Sequence, residues 1–209
     1  MRRGDTVLIT GRDKANTESV AAAIGPDVHG LAVDLAEPDT IEAAFAGVTT
    51  VDNLVITASD PTPNSIADFN TTQAVRSITV KLVGYAETVR VLRDRFAPAA
   101  AVVLFGGLAK ERPYPGSTMV TTFNGGISGL TRTLAREIAP HRVNAIHPGI
   151  VGDSPYWTGK TAYLETVRQR TPTGQLTRMT DIVDATVFLL ENPAVNGVNL
   201  PVDGGWLLM

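Results

Sequence analysis

The chain has no cysteine. That excludes disulfides, thiolate zinc sites and a cysteine nucleophile, and no metal centre is expected. It also lacks an excess of positive charge. Its formal net charge is −3, so no global basic field draws it to nucleic acid. Long hydrophobic runs are missing as well. The longest, "AAAVVLFGGLA", falls far short of the roughly 18 residues a spanning helix needs. The start, "MRRGDTVLIT", carries two arginines, but its apolar run is too short for a signal peptide. Repeats, low-complexity tracts and blocks of one charge are absent too. These absences predict a soluble, cytoplasmic protein with neither nucleic acid nor membrane as partner.

What is present is an alternation of short β-branched runs with longer alanine-rich segments. A length of 209 residues suits one domain with a core able to stand alone, so residues 1–209 are read as a single domain. "TVLIT" (Thr6 to Thr10) reads as a strand, and "NTESVAAAI" as a helix stopped by Gly25 and Pro26. "HGLAVDL" is strand-like. "EPDTIEAAFAG" reads as a helix with proline in its first turn and glycine at its end. "NLVIT" (Asn53 to Thr57) is a continuous apolar strand. Val75, Ile78, Leu82, Tyr85, Val89, Leu92 and Phe96 recur every three or four positions and predict one long amphipathic helix. The strand "AVVLF" follows, then a helix from about Met119 to Ile138, then "RVNAI" ahead of Pro148-Gly149. An irregular segment, "GDSPYWTGK", precedes two further helices, and "GVNLPV" closes as a strand. Apolar strands alternating with helices predict an α/β fold: a doubly wound parallel sheet of about six strands, covered on both faces. Ligands of such sheets lie at the carboxyl ends of the strands. Those ends fall at Gly11, Asp34, Thr57, Gly106 and Pro148.

The strand ends carry a family resemblance. "ITGRD", "AVDLAEPDTIEAAF", "VDNLVITAS", "GLTRTLAREIAPHRVNAIHPGIV" and "DIVDATVFLLENPAVNGVNLPVDGG" resemble, in order, segments of the short-chain dehydrogenase/reductase (SDR) family. The likeness spans nearly the whole chain. It implies a Rossmann-like fold, NAD(H) or NADP(H) as cofactor, a small-molecule substrate, and a homodimer or homotetramer. "TGRD" resembles the second-strand ending of NADP(H)-binding members, so NADP(H) is the cofactor implied. The resemblance places cofactor contacts at Gly11, Arg12, Asp34, Leu35, Thr57, Ala58, Pro148, Gly149 and Val151.

Two departures from the family pattern stand out. The family opens with a glycine-rich TGxxxGxG turn, whose glycines let the backbone approach a pyrophosphate at a helix N-terminus. Here Thr10-Gly11-Arg12-Asp13 is followed by no glycine before Gly25. Either "TVLIT" is the first strand with a degraded turn, or it is the second strand and the first βα unit of roughly 30 residues is absent. The spacing to "VDLAEPDT" favours absence. The first strand lies centrally in the 3-2-1-4-5-6 order, and each orphaned polar group costs about 1–3 kcal/mol. Either "TVLIT" closes up onto "NLVIT", or the chain begins at an internal methionine. Both remain open at this point.

The second departure is chemical. Where the family keeps a catalytic serine, tyrosine and lysine, this chain has Gly106 (followed by Gly107), Val120 and Asn124. Where it keeps an asparagine in the long preceding helix, this chain has Lys81. Valine carries no proton and glycine donates no side-chain hydrogen bond. A divergent subset of the family shares the lysine and an "NGA" or "NAA" stretch, which "VKLVG" and "FNGGI" resemble.

Each candidate has a plain alternative. Arg12 suits a 2′-phosphate or is a surface arginine after a strand. Asp34 contacts adenine or is a turn aspartate. Ser59, where a glycine is usual, narrows the approach over Thr57 and Ala58. Pro148-Gly149 marks the nicotinamide side and is also a fold requirement. Lys81, desolvated, would act as acid or base; otherwise it is an exposed helix lysine. Asn124 binds a ribose or substrate, or is a satisfied helix polar. His147 shuttles protons or is structural. Tyr114, Tyr156 and Trp157 line a substrate pocket or pack loops. Thr118, Thr121 and Thr122 receive no role. Trp206, Leu207, Leu208 and Met209 suit burial against another subunit. Three functions follow: an NADP(H)-dependent oxidoreductase with Lys81 and Asn124 in its catalytic site; an inactive scaffold or partner subunit; or a non-redox enzyme on the SDR fold using Lys81 or His147.

Overall fold

The computed structural model describes residues 4–60 and 64–209. Its elements run β1 (Val7–Gly11), α1 (Lys14–Ile24), β2 (Val28–Ala32), α2 (Pro38–Ala44), β3 (Val51–Ile56) and α3 (Thr71–Ile78). A π-helical turn (Thr79–Val83) leads into α4 (Gly84–Leu92). Then come β4 (Phe96–Phe105), α5 (Thr118–Glu137), β5 (Arg142–Pro148), α6 (Thr161–Arg170), α7 (Met179–Glu191) and β6 (Asn199–Val202). All ladders are parallel, and the α/β alternation is the expected one.

The core forms around β4. Ala101, Val102, Val103 and Leu104 expose no surface, so this strand is buried on both faces, as its uninterrupted apolar run requires. Val102 and Leu104 pack with Tyr85 and Val89 of α4 and Ile127 and Leu134 of α5. Val103 points the other way, onto Ile146 and Leu189 of α7. Helices thus cover both faces of the sheet.

The sheet itself is divided. β3, β4, β5 and β6 form one four-stranded sheet in that order, while β1 and β2 form a separate pair. Among the described residues no ladder joins β1 to β3, so "TVLIT" does not close up onto "NLVIT". Leu8 and Val55, each 40% exposed, mark the two free edges. The β1–β2 pair is held instead by apolar packing: Leu31 and Val33 share a cluster with Ile41 and Phe45, Val91 and Leu92, and Val51 and Leu54. Burial of side chains, not hydrogen-bonded pairing, joins the two parts.

The expected long helix is three pieces, and Phe96 heads β4 rather than ending the helix. The π turn explains the difference. It inserts one residue relative to the α period, so the buried face slips by one position on its N-terminal side. Tyr85, Val89 and Leu92 are buried as the period predicts. Extrapolating back gives Leu82, Ile78 and Val75, yet the buried residues are Lys81, Ser77 and Ala74, and Val75 is 60% exposed. The slip turns Lys81 inward.

The turn is braced at its C-terminal side. A Cβ on Gly84 would lie 2.5 Å from the Leu35 carbonyl oxygen and 2.7 Å from its Cβ, so only glycine admits this contact. Gly84→Ala is expected to destabilise the protein by about 1–3 kcal/mol through overpacking, seen as a melting midpoint several degrees lower. An unchanged midpoint would mean that the contact is loose.

Candidate active site

At the carboxyl end of β3 the chain turns through Thr57 and Ala58, and the Ala58 carbonyl becomes a hub. Lys81 Nζ donates to it at 3.0 Å and Tyr85 Oη at 2.8 Å, while Lys81 Nζ also donates to Tyr85 Oη at 2.9 Å. The π turn and the first turn of α4 place the two side chains four residues apart on one face. Lys81 is 3% exposed, which rules out the exposed helix lysine. It has no carboxylate partner within 4 Å among the described residues. Burial alone pushes its amine down to about 7, since desolvation disfavours the ammonium. Burial pushes the Tyr85 phenol up, so Tyr85 stays a neutral donor. The site therefore holds an amine that gains and loses a proton near neutral pH.

A second group lies at the ends of β4 and β5. Gly106 N–H donates to the Ile146 carbonyl at 2.8 Å, which sets His147 beside Gly106. A Cβ on Gly106 would overlap the His147 imidazole, so the ring occupies the room that a side chain there would take. His147 Nε2 lies 2.9 Å from Asn199 Oδ1. Asn199 Nδ2 donates to the Ser128 carbonyl at 3.4 Å, which orients the amide and puts the imidazole proton on Nε2. Nδ1 is buried and has no hydrogen-bond partner of good geometry. Desolvation holds the His147 pKa below its ordinary value, and the Asn199 hydrogen bond offsets this in part. Asn124, also buried, does the same at the next position: a Cβ on Gly107 would lie 2.8 Å from its Nδ2. Val120, one helical turn earlier, is half-buried. The two glycines beyond β4 thus leave room that an imidazole and a carboxamide fill.

The cofactor side is more divided. Arg12 is exposed at the end of β1. Gly11 is close-packed, because its missing Cβ is replaced by the Thr17 hydroxyl. The N-terminus of α1 is capped by Asp13, whose carboxylate accepts from Asn16 N–H at 2.7 Å. A pyrophosphate therefore does not fit this helix end, which already holds an anion. Asp34 Oδ1 accepts from Ala36 N–H at 2.9 Å, the turn geometry of the plain alternative. Its other oxygen lies 3.6 Å from Arg76, which also bonds Asp60 at 2.8 Å. Leu35 backs onto Gly84. Thr57 is exposed and Ala58 half-buried. Gly149 donates to the Val202 carbonyl at 2.9 Å, and its hydrogen faces Asp203 Cα, 2.8 Å from where a Cβ would stand. Val151 bridges to Thr177. Arg12 and Thr57 are open to solvent at the ends of their strands; the described residues offer no glycine-rich pyrophosphate turn. No group of acids and histidines among them could hold a metal ion, and none of their helices is long and apolar enough to cross a membrane.

A family model described as enoyl-(acyl carrier protein) reductase matches residues 1–207. The chain belongs to the short-chain dehydrogenase/reductase family. Among its relatives, carbonyl reductase family member 4 of Danio rerio is 27% identical over 218 residues, covering 100% of this chain and 90% of that protein. L-xylulose reductase of Mesocricetus auratus is 29% identical, covering 98% and 87%. The fold matches a Brucella melitensis SDR structure with a TM-score of 0.90 at 23% identity, over 98% of this chain and 87% of that one. It also matches a small-chain dehydrogenase in complex with NADPH with a TM-score of 0.82 at 24% identity, over 98% of this chain and all of that one.

Tyr85 was hidden from sequence reasoning because it fits the apolar period equally well; its place four residues after Lys81 was the available signal. Asn199, Arg76 and the Asp13 cap carried no motif. The Lys81 environment has a direct thermodynamic consequence. Between about 7 and the ordinary lysine value of 10.5, the unfolded chain binds a proton that the folded chain does not, so this group makes stability rise with pH across that window. Comparing melting midpoints of the native protein and Lys81→Met from about pH 7 to about pH 10 should show the difference moving in favour of the native protein. A constant difference would mean that Lys81 is solvated.

Proposed function

We propose that this chain is an NADP(H)-dependent oxidoreductase of carbonyl or alcohol substrates in which Lys81 handles the proton. The observation that carries this reading is the Lys81 amine, buried and tied to the Ala58 carbonyl at 3.0 Å, at a strand end where the fold binds ligands. Bound NADP(H) supplies or accepts the hydride. Arg12 binds the 2′-phosphate, and its guanidinium suits that anion. The Thr57–Ala58 and Pro148–Gly149 turns flank the ribose and nicotinamide. Lys81 Nζ gives a proton to a forming alkoxide or takes one from an alcohol, with Tyr85 and the Ala58 carbonyl holding the amine in place. Asn124 offers a carboxamide to the substrate oxygen from α5. The names of the relatives, a carbonyl reductase and L-xylulose reductase, and of the NADPH-bound structure support the reading.

A retained scaffold without redox activity is the second reading, and the Asp13 cap at the α1 N-terminus favours it. Calorimetric titration separates the two. Micromolar NADPH binding, weakened about tenfold by Arg12→Ala as expected for loss of a charged hydrogen bond, with NADH unaffected, supports the oxidoreductase. Absence of binding to either nucleotide at millimolar concentration leaves the scaffold.

The proposal extends to self-association. Leu208 and Met209 are 86% and 44% exposed and would be covered by a second copy. Sedimentation should show a dimer or tetramer, weakened by Leu208→Asp; a monomer at micromolar concentration would rule this out.

A further inference from the structure

Aromatic residues are few, at 6% of the chain, yet they concentrate at one place outside the groups described so far. Three of the four tyrosines and one of the two tryptophans come from two segments, one beyond β4 (Tyr114) and one beyond β5 (Tyr156, Trp157 and Tyr163). Tyr156 meets Trp157 edge to face with centroids 4.8 Å apart. Trp157 stacks on Tyr163 at 5.1 Å and 19°. Tyr114, from the segment beyond β4, makes no ring contact with these three; burial raises its phenol pKa, and the phenols of Tyr156 and Tyr163 add to the effect. Such a set normally serves packing, but here Tyr114, Tyr156 and Tyr163 are 57%, 68% and 48% exposed. Rings left this open form a surface for something else.

The cation in the cluster indicates what. Lys160 Nζ lies 3.9 Å from the Tyr156 ring centroid and 5.0 Å from that of Trp157. These contacts fix the ammonium without neutralising it. The carboxylates nearest to it in sequence are engaged elsewhere: Glu165 with Arg168 and Gln169, and Asp153 with the Met179 N–H. No carboxylate lies within 4 Å of Lys160 among the described residues. A fixed, unpaired positive charge beside open ring faces is complementary to a flat ligand with one negative group.

We infer that Tyr114, Tyr156, Trp157 and Tyr163 form a binding platform for a planar aromatic carboxylate, whose ring lies on the open aromatic faces and whose anion pairs with Lys160. This names the substrate class of the site proposed above, and it rests on reading the ends of β4 and β5 as the substrate side.

The test uses the full chain, without nucleotide, and three probes: 2-naphthoate, 2-naphthol and cyclohexanecarboxylate. Binding is followed by calorimetry, and by Trp157 fluorescence in a Trp206→Phe background. Submillimolar binding of 2-naphthoate is expected, at least tenfold tighter than either other probe. Trp157→Ala should weaken it tenfold or more, and Trp157→Phe, which keeps a ring face, should retain most of it. Lys160→Met should bring 2-naphthoate to the level of 2-naphthol and leave 2-naphthol unchanged. Three results would overturn the inference: no binding of 2-naphthoate, equal binding of cyclohexanecarboxylate, or indifference to both Trp157→Ala and Lys160→Met. Because no nucleotide is present, failure here leaves the NADPH titration to decide the oxidoreductase reading on its own.

Discussion

The geometry of the site depends on the carboxyl end of β4. That strand is buried on both faces and anchors β3 and β5 through its two ladders. Gly106 and Gly107, which follow its last residue, carry no side chains, and the space they leave is filled from β5 by His147 and from α5 by Asn124. One strand end thereby fixes where an imidazole and a carboxamide stand. The neighbouring end of β3 supplies the carbonyl that fixes an amine. Polar groups from the π turn and α4 are thus placed by one strand end, and those from α5 and β5 by its neighbour.

The central electrostatic fact is a lysine without a counter-charge. A buried ammonium is costly unless paired. This chain meets the cost by letting the amine lose its proton rather than by adding a carboxylate. Tyr85 and the Ala58 carbonyl take the two N–H groups of the neutral amine and would leave the third of an ammonium without a partner among the described residues. The shift thus comes from burial, and it depends on the π turn that brings Lys81 under the helix.

Much of this fold was legible in the sequence. Proline in the first turn of α2, the apolar run of β4 and the order of strands and helices needed only local chemistry. The resemblance to the SDR family named the family whose model matches the chain, and it named the strand ends as the place to look. What could not be read was phase. Val75 fits the period of the long helix, yet a single inserted residue moves the buried face to Ala74, Ser77 and Lys81. No composition rule announces a π turn. The exchange between Gly106 and His147 was equally hidden, since it joins residues 41 positions apart (147 less 106) that meet only across a ladder. Asp13 had no assigned role in the sequence, and its carboxylate caps α1.

The division of the sheet has a consequence for how the molecule opens. Hydrogen-bonded ladders transmit cooperativity along a sheet, and none crosses from β1 to β3 among the described residues. The lobe of β1, α1 and β2 is therefore a cooperative unit of its own, joined to the rest by the Ile41–Phe45 and Val91–Leu92 packing. Such units exchange their amide hydrogens by local opening well below the global unfolding free energy. Two tiers of amide protection are the expected outcome, with Arg12 on the weaker one.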